Sequence, residues 1–235
     1  MSSEKKPKVY TAHSWFPNPS RLRLMMAEKG ILDQYEEVIM DMEVVGEQKG
    51  WRHKKLNPWA EAPVLELPDG TYLSETAAIA QYLDDTHPGR KILGETVLEQ
   101  ALDRQWDNRI WIQLLYRFVT TFHVQHLGLG PDLELTYNPS WGETCRKEGL
   151  QTAAMLDTHL SDGRKWVLGG EEPTFCDTTL CTAIMWGKFG PMHTDLTHRF
   201  EFLDAYWSRW KERDSFKRAY NDGGGMEELA YLKTK

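Results

Sequence analysis

The stretch that decides the fold reads Asn57-Pro58-Trp59-Ala60-Glu61-Ala62-Pro63-Val64-Leu65-Glu66-Leu67-Pro68-Asp69-Gly70-Thr71-Tyr72-Leu73-Ser74-Glu75-Thr76-Ala77-Ala78-Ile79. Ala62 to Leu67 predicts a strand with a proline near its start, where a missing N–H is tolerated. Pro68-Asp69-Gly70 is a hairpin turn signal, so Thr71-Tyr72-Leu73 is the returning strand. Ser74 to Leu83 then turns helical, with Ala78, Ile79 and Tyr82 on one face. Upstream, Lys8 to Ala12 predicts a strand and His13 to Pro19 a loop, which Pro17 and Pro19 keep from being helical throughout. A helix follows from Ser20, its hydroxyl capping the start. Leu22, Met25 and Met26 fall at i, i+3 and i+4, and Gly30 stands at the stop. Tyr35 to Met40 reads as the next strand, which opens a βαβ unit. A polar segment, Gly46 to Leu56, joins it to the hairpin.

Downstream the pattern changes. After the turn-rich His87-Pro88-Gly89, the spacing predicts helices over Leu98–His126, Glu143–Leu160, Phe175–Phe189 and Phe202–Arg213, with a loop over Gly128–Pro139. No strand is marked beyond residue 90. The expected fold class is therefore an α/β N-terminal domain over 1–87 and an all-α C-terminal domain over 88–235.

Composition narrows the function. The chain has 235 residues, 28 basic against 35 acidic, and a formal net charge of −7. That balance offers no electrostatic footprint for nucleic acid or an anionic membrane surface. Mean hydropathy is −0.58, and no apolar run approaches the ~20 residues of a membrane span. Met1 to Lys8 is polar with no apolar run behind it, so a cytoplasmic location is the default. Cys145, Cys176 and Cys181 form no CxxC pair, which argues against a disulfide scaffold or a cysteine-based metal site, and no metal is expected. Ten tryptophans supply cores or line pockets for flat organic molecules.

Four ordered motifs carry a resemblance: Asn57 to Leu65, then Asp69-Gly70 with Leu73-Ser74-Glu75-Thr76-Ala77-Ala78-Ile79, then Thr174-Phe175-Cys176-Asp177, and finally Arg213-Asp214-Ser215-Phe216-Lys217. Together they resemble the cytosolic glutathione transferases. Gly128 to Glu134 and Asn138 to Gly142 are most similar to an atypical fungal and bacterial subgroup. That subgroup lacks the usual Tyr, Ser or Cys beside the first strand, and a Ser and a His of the second domain hold a water there instead. The resemblance implies a thioredoxin-like βαβαββα domain, a helical second domain and a homodimer. Glutathione would be the co-substrate and a small hydrophobic electrophile the partner.

The chemistry would be attack by the glutathione sulfur. A free thiol has a pKa of ~8.5, so the protein must favour the anion, and two units correspond to about 3 kcal/mol. Donors and a helix N-terminus aimed at the sulfur are the means. Aligned on Pro17-Asn18, the family's hydroxyl position falls on Phe16, which cannot donate; Ser14 serves if the loop carries an extra residue. Asn18 either donates to the sulfur or shapes the turn. His123 matches the subgroup's His, but Val119 stands where that subgroup carries Ser, and Thr120 is about 100° further round the helix. His123 and His126 are otherwise ordinary histidines.

The resemblance further implies a cis Pro63, exposing the backbone of Ala62 or Val64 to pair with the cysteinyl part of glutathione like an added strand. Thr76 and the helix N-terminal amides take the γ-glutamyl carboxylate and Glu75 its ammonium. Gln48 and Lys49 fall where the glycine carboxylate is held. Thr174 and Asp177 form a capping box of the fold rather than a catalytic pair. Trp15 and Phe16 are the candidates for the hydrophobic substrate wall. Two rival readings are a non-catalytic ligand-binding or protein-interaction module, favoured by Phe16 and Val119, and a glutathione-dependent disulfide reductase leaning on Asn18. The isomerase branch carries Ser-Ser-Cys where this chain has Ser14-Trp15-Phe16-Pro17.

Overall fold

The computed structural model describes residues 6–13, 16–42, 46–125, 137–189 and 194–221. The N-terminal half holds β1 (Lys8–Thr11), α1 (Pro17–Lys29), β2 (Glu36–Ile39), a single turn α2 (Trp51–Lys54), β3 (Val64–Glu66), β4 (Tyr72–Ser74) and α3 (Thr76–Thr86). The sheet order is β2-β1-β3-β4, with β1 parallel to β2 and antiparallel to β3. Val64 pairs with Tyr10 on one side and Ser74 on the other. The helical region follows as α4 (Val97–Ile110), a π-helical turn (Trp111–Leu115), α5 (Tyr116–Val124), α6 (Pro139–Leu160), α7 (Phe175–Phe189), α8 (Glu201–Glu212) and α9 (Asp214–Asn221). This is the fold class expected.

Four elements depart from expectation, one of them α6, which starts at Pro139 rather than Glu143. Helix α1 starts at Pro17 rather than Ser20, because proline lacks only an N–H that the first turn leaves unpaired anyway. Ser20 therefore caps nothing: it is fully buried in the second turn, its hydroxyl 3.3 Å from that of Thr182 and in contact with that of Tyr220. The single stretch Leu98–His126 is broken by the π-helical turn and ends at Val124. Helix α9 carries the last motif, where periodicity alone marked no helix. Gly30 does stop α1, in the left-handed conformation at φ 74°, with its N–H and that of Ile31 closing on Ala27 and Met26.

Helix α1 is the keystone of packing. It packs against α3 on one flank and against α7 and α9 on the other. It therefore buries residues all round, Leu22, Leu24, Met25 and Met26 among them. Polar groups tie the halves at this seam. Arg21, 3% exposed, donates to Asp107 at 2.8 Å and to Thr179 at 2.9 Å. Glu28 accepts from Arg213 at 2.7 and 2.9 Å and from Arg90 at 3.1 Å. Lys29 donates to Asp84 at 2.8 Å, and Asp84 also accepts the N–H groups of Ile92 and Leu93.

Helix α7 is the core of the second half. Asp177 accepts the Thr174 N–H at 2.8 Å, as the capping box requires, but the Thr174 hydroxyl donates to Asp177 instead of receiving a backbone N–H. The N–H of Cys176 goes to Asp103 of α4, whose carboxyl burial pushes up to about 7. Cys145, Cys176 and Cys181 are all buried, and burial pushes their thiols up.

Candidate functional site

A cleft of about 580 Å³ opens between the N-terminal half and α5. It brings together Phe16, Asn18, Gln48, Lys49, Ala62, Glu75 and His123 from five separate stretches of chain. Ser14, Trp15 and His126 lie outside the described residues.

On the sheet side, the Ala62–Pro63 bond is cis. Two side chains brace the segment before it: His53 Nε2 lies 2.8 Å from the Glu61 carbonyl, and Asn57 Nδ2 donates to the same oxygen at 3.0 Å. Ala62 lines the cleft, whereas Val64 is buried in the middle of the ladder with strands on both flanks. Of the two residues named from sequence, Ala62 is the one that lines the cavity.

Glu75 has φ 71° and ψ 115°, a backbone conformation that costs a non-glycine residue ~1–3 kcal/mol and tends to occur at functional sites. It stands at the start of α3, where no side chain caps the helix. The first N–H groups of α3 are thus left to an external acceptor. The Thr76 hydroxyl is buried and has no hydrogen-bond partner among the described residues. Gln48, 4% exposed, has its Oε1 in the same condition. Buried polar atoms without partners are uncommon and ask for a ligand or water. Glu61 stands beside Glu75 on the cleft wall. Partial burial first, and then the Glu75 carboxylate, push the Glu61 carboxyl above its ordinary value.

The opposite wall is aromatic. Trp111 and Tyr116, at either end of the π-helical turn, have ring centroids 5.7 Å apart and both line the cleft with Phe16. Phe122 and Trp186 pack edge-to-face in the core instead, at 5.5 Å. His123 lines the cleft with its ring edge-on to Phe122 at 5.4 Å. Thr120 lines it too: the 100° separation was measured from Val119, but Thr120 lies only about 60° from His123 on the helix.

Sequence reasoning missed His53, Asn57, Glu61 and Trp111. Asn57 was visible in the Asn-Pro motif but carried no assigned partner. The others show no local signal, because their roles depend on chain brought in from elsewhere.

A family model for the glutathione S-transferase N-terminal domain matches residues 16–86. Glutathione S-transferase 2 of Saccharomyces cerevisiae is 30% identical over 86% of this chain and 84% of its own length. The chain belongs to the glutathione S-transferase family. Among solved structures, a glutathione S-transferase domain-containing protein of Marinobacter aquaeolei superposes with a TM-score of 0.82, at 32% identity, covering 89% of this chain and 99% of that one. Gtt2 of Saccharomyces cerevisiae superposes with a TM-score of 0.81 at 30% identity, covering 90% and 99%. In this family member the domain match spans the half that carries Gln48, Ala62, Glu75 and Thr76. Among the described residues no helix is long and apolar enough to cross a membrane. Nor do three His, Cys, Asp or Glu side chains gather there as metal ligands.

Proposed function

We propose that this transferase binds glutathione in the cleft and presents its thiolate to a flat, hydrophobic electrophile. Residues 1–87 form the glutathione-binding unit and 88–235 supply the wall for the second substrate. The observation that carries the reading is the buried, unpartnered Thr76 hydroxyl beside the uncapped start of α3. A carboxylate is the ligand that such a place lacks.

In this reading the γ-glutamyl carboxylate sits on the α3 amides and Thr76, and its ammonium meets Glu75 and Glu61. The cysteinyl backbone pairs with that of Ala62 beside the cis proline, and the glycine carboxylate reaches Lys49 and Gln48. The sulfur then points toward the start of α1, with Thr120 and His123 across the cleft. The thiol proton leaves to solvent or to His123. The sulfur electron pair attacks the electrophilic carbon, and the leaving group departs or the double bond takes up the charge. Trp111, Tyr116 and Phe16 hold the electrophile. Exposed Val97, Leu98 and Leu102 on α4 support a homodimer.

Thr76→Val tests the site. It keeps the volume and removes a hydroxyl that has no partner among the described residues, so the melting temperature should hold or rise. Glutathione affinity should fall at least 10-fold, since a hydrogen bond to a charged group contributes ~1.5–3 kcal/mol. An unchanged dissociation constant by calorimetry would refute the assigned γ-glutamyl site. Conjugation of a chlorodinitrobenzene-type substrate should follow binding; binding without turnover would support a non-catalytic module, and reduction of a mixed disulfide alone the reductase reading.

The Glu61 shift gives a pH test. A bound ammonium favours the ionised carboxylate, so binding should release protons. Affinity should weaken as pH falls through the raised value, and Glu61→Gln should flatten that slope. Calorimetry across a pH series checks it; an identical slope in the variant would remove Glu61 from the site.

A further inference from the structure

The start of α1 is short of donors. A helix start leaves four N–H groups without intrahelical partners. Here Phe16 gives its N–H to the His13 carbonyl at 3.0 Å, and Pro17 and Pro19 have none. Ser20, next in line, already donates to the Phe16 carbonyl at 2.9 Å. Among the described residues only the Asn18 N–H is left at this helix start, so a further donor from them comes from a side chain.

Asn18 lines the cleft, and behind it stands Arg21. The Arg21 guanidinium is buried, held by Asp107 and Thr179, and stacked 4.6 Å from the centroid of the Trp111 ring. Its Nη1 donates to the Asn18 Oδ1 at 2.9 Å. A guanidinium has no acceptor, so the amide must present its oxygen to Arg21 and turn its NH₂ the other way. Among the described residues nothing accepts from that NH₂.

We infer that Asn18 Nδ2 is the side-chain donor to the glutathione thiolate, and that Arg21 is the positioning residue that fixes the amide in the donating orientation. The inference rests on the glutathione reading above. Lys49, Glu61, Glu75, Tyr116 and His123 are the other titratable groups on the cleft wall. Whatever these groups contribute, Asn18 acts by direct hydrogen bond and depends on Arg21 for its direction.

The test is Asn18→Asp beside Asn18→Ala, read as the pKa of bound glutathione from its ultraviolet thiolate band. An aspartate at 18 pairs with Arg21 even better and should keep or raise the melting temperature, so a structural role predicts a benign change. The inferred role predicts the reverse. Asn18→Ala should raise the bound-thiol pKa by about one unit, and Asn18→Asp by more, because it replaces the donor with a charged acceptor. Arg21→Lys should raise it in the native background but not when Asn18→Ala is already present. Calorimetry with glutathione runs alongside. No heat with the unmodified protein would overturn the glutathione reading itself, and this inference with it. Normal heat with an unshifted thiol pKa in both Asn18 variants would overturn this inference alone.

Discussion

Asp177→Ala should lower the stability of this transferase by about 3–5 kcal/mol, measured by urea unfolding. Asp177 is fully buried and accepts the N–H groups of Val167 and Thr174 at 2.8 Å each and the Tyr206 hydroxyl at 2.9 Å. Burial pushes its carboxyl above the ordinary value against the pull of these donors. Truncation would take the acceptor from the Val167 and Thr174 N–H groups and leave the Tyr206 hydroxyl only the Asp177 backbone carbonyl at 3.2 Å; each orphan costs ~1–3 kcal/mol, with water partly compensating. Folded domains have only about 5–15 kcal/mol in all. Asp177→Asn keeps one acceptor oxygen and should fall between. A loss under about 1 kcal/mol in the alanine variant would show that the loop before α7 is held some other way.

Asp107→Ala should cost a comparable ~3–5 kcal/mol, because it strands the Arg21 charge in the interior. Both side chains of the pair are almost fully buried, at 4% and 3% exposure. Burial already lowers the Arg21 pKa, with Asp107 as its chief counterweight. Replacing both partners, as in Arg21→Met with Asp107→Leu, removes the stranded charge along with its partner. Stability should then return to within about 1–2 kcal/mol of the native protein. Chemical denaturation of the single and double variants decides this. A double variant as unstable as Asp107→Ala would mean that the pair carries more than charge compensation. The same double variant leaves Asn18 without its anchor, so recovered stability should not restore the thiol pKa.

Much of the fold was legible because its signals are local. The Pro68-Asp69-Gly70 turn, the Gly30 stop and the i, i+3, i+4 spacing before it act over a few residues, and β3, β4 and the end of α1 stand where they point. The start of α1 was misread because prolines in a first turn look the same in sequence as prolines in a loop. Helix α9 was missed because its burial comes from α1 and α8, not from its own length. The site was half legible. Asn18, Gln48, Ala62, Glu75 and His123 do share one cleft. Arg21 carries no local mark of a site residue, and the packing of α5 brings both Val119 and Thr120 to the cleft, which the angle between them does not reveal.

The sequence by itself determined the order of strands and helices, the kink at Pro63 through its motif, and the residues opening α3. Propensity, turn chemistry and capping act between neighbours and need no knowledge of the rest of the chain. Only the tertiary structure decided which polar atoms are left unpartnered and which way Asn18 turns its amide. Those facts depend on Arg21 meeting Asp107 and Thr179, residues 86 and 158 positions away. Contacts over such separations follow from packing, where burial and exclusion of water set the cost of every unmade hydrogen bond.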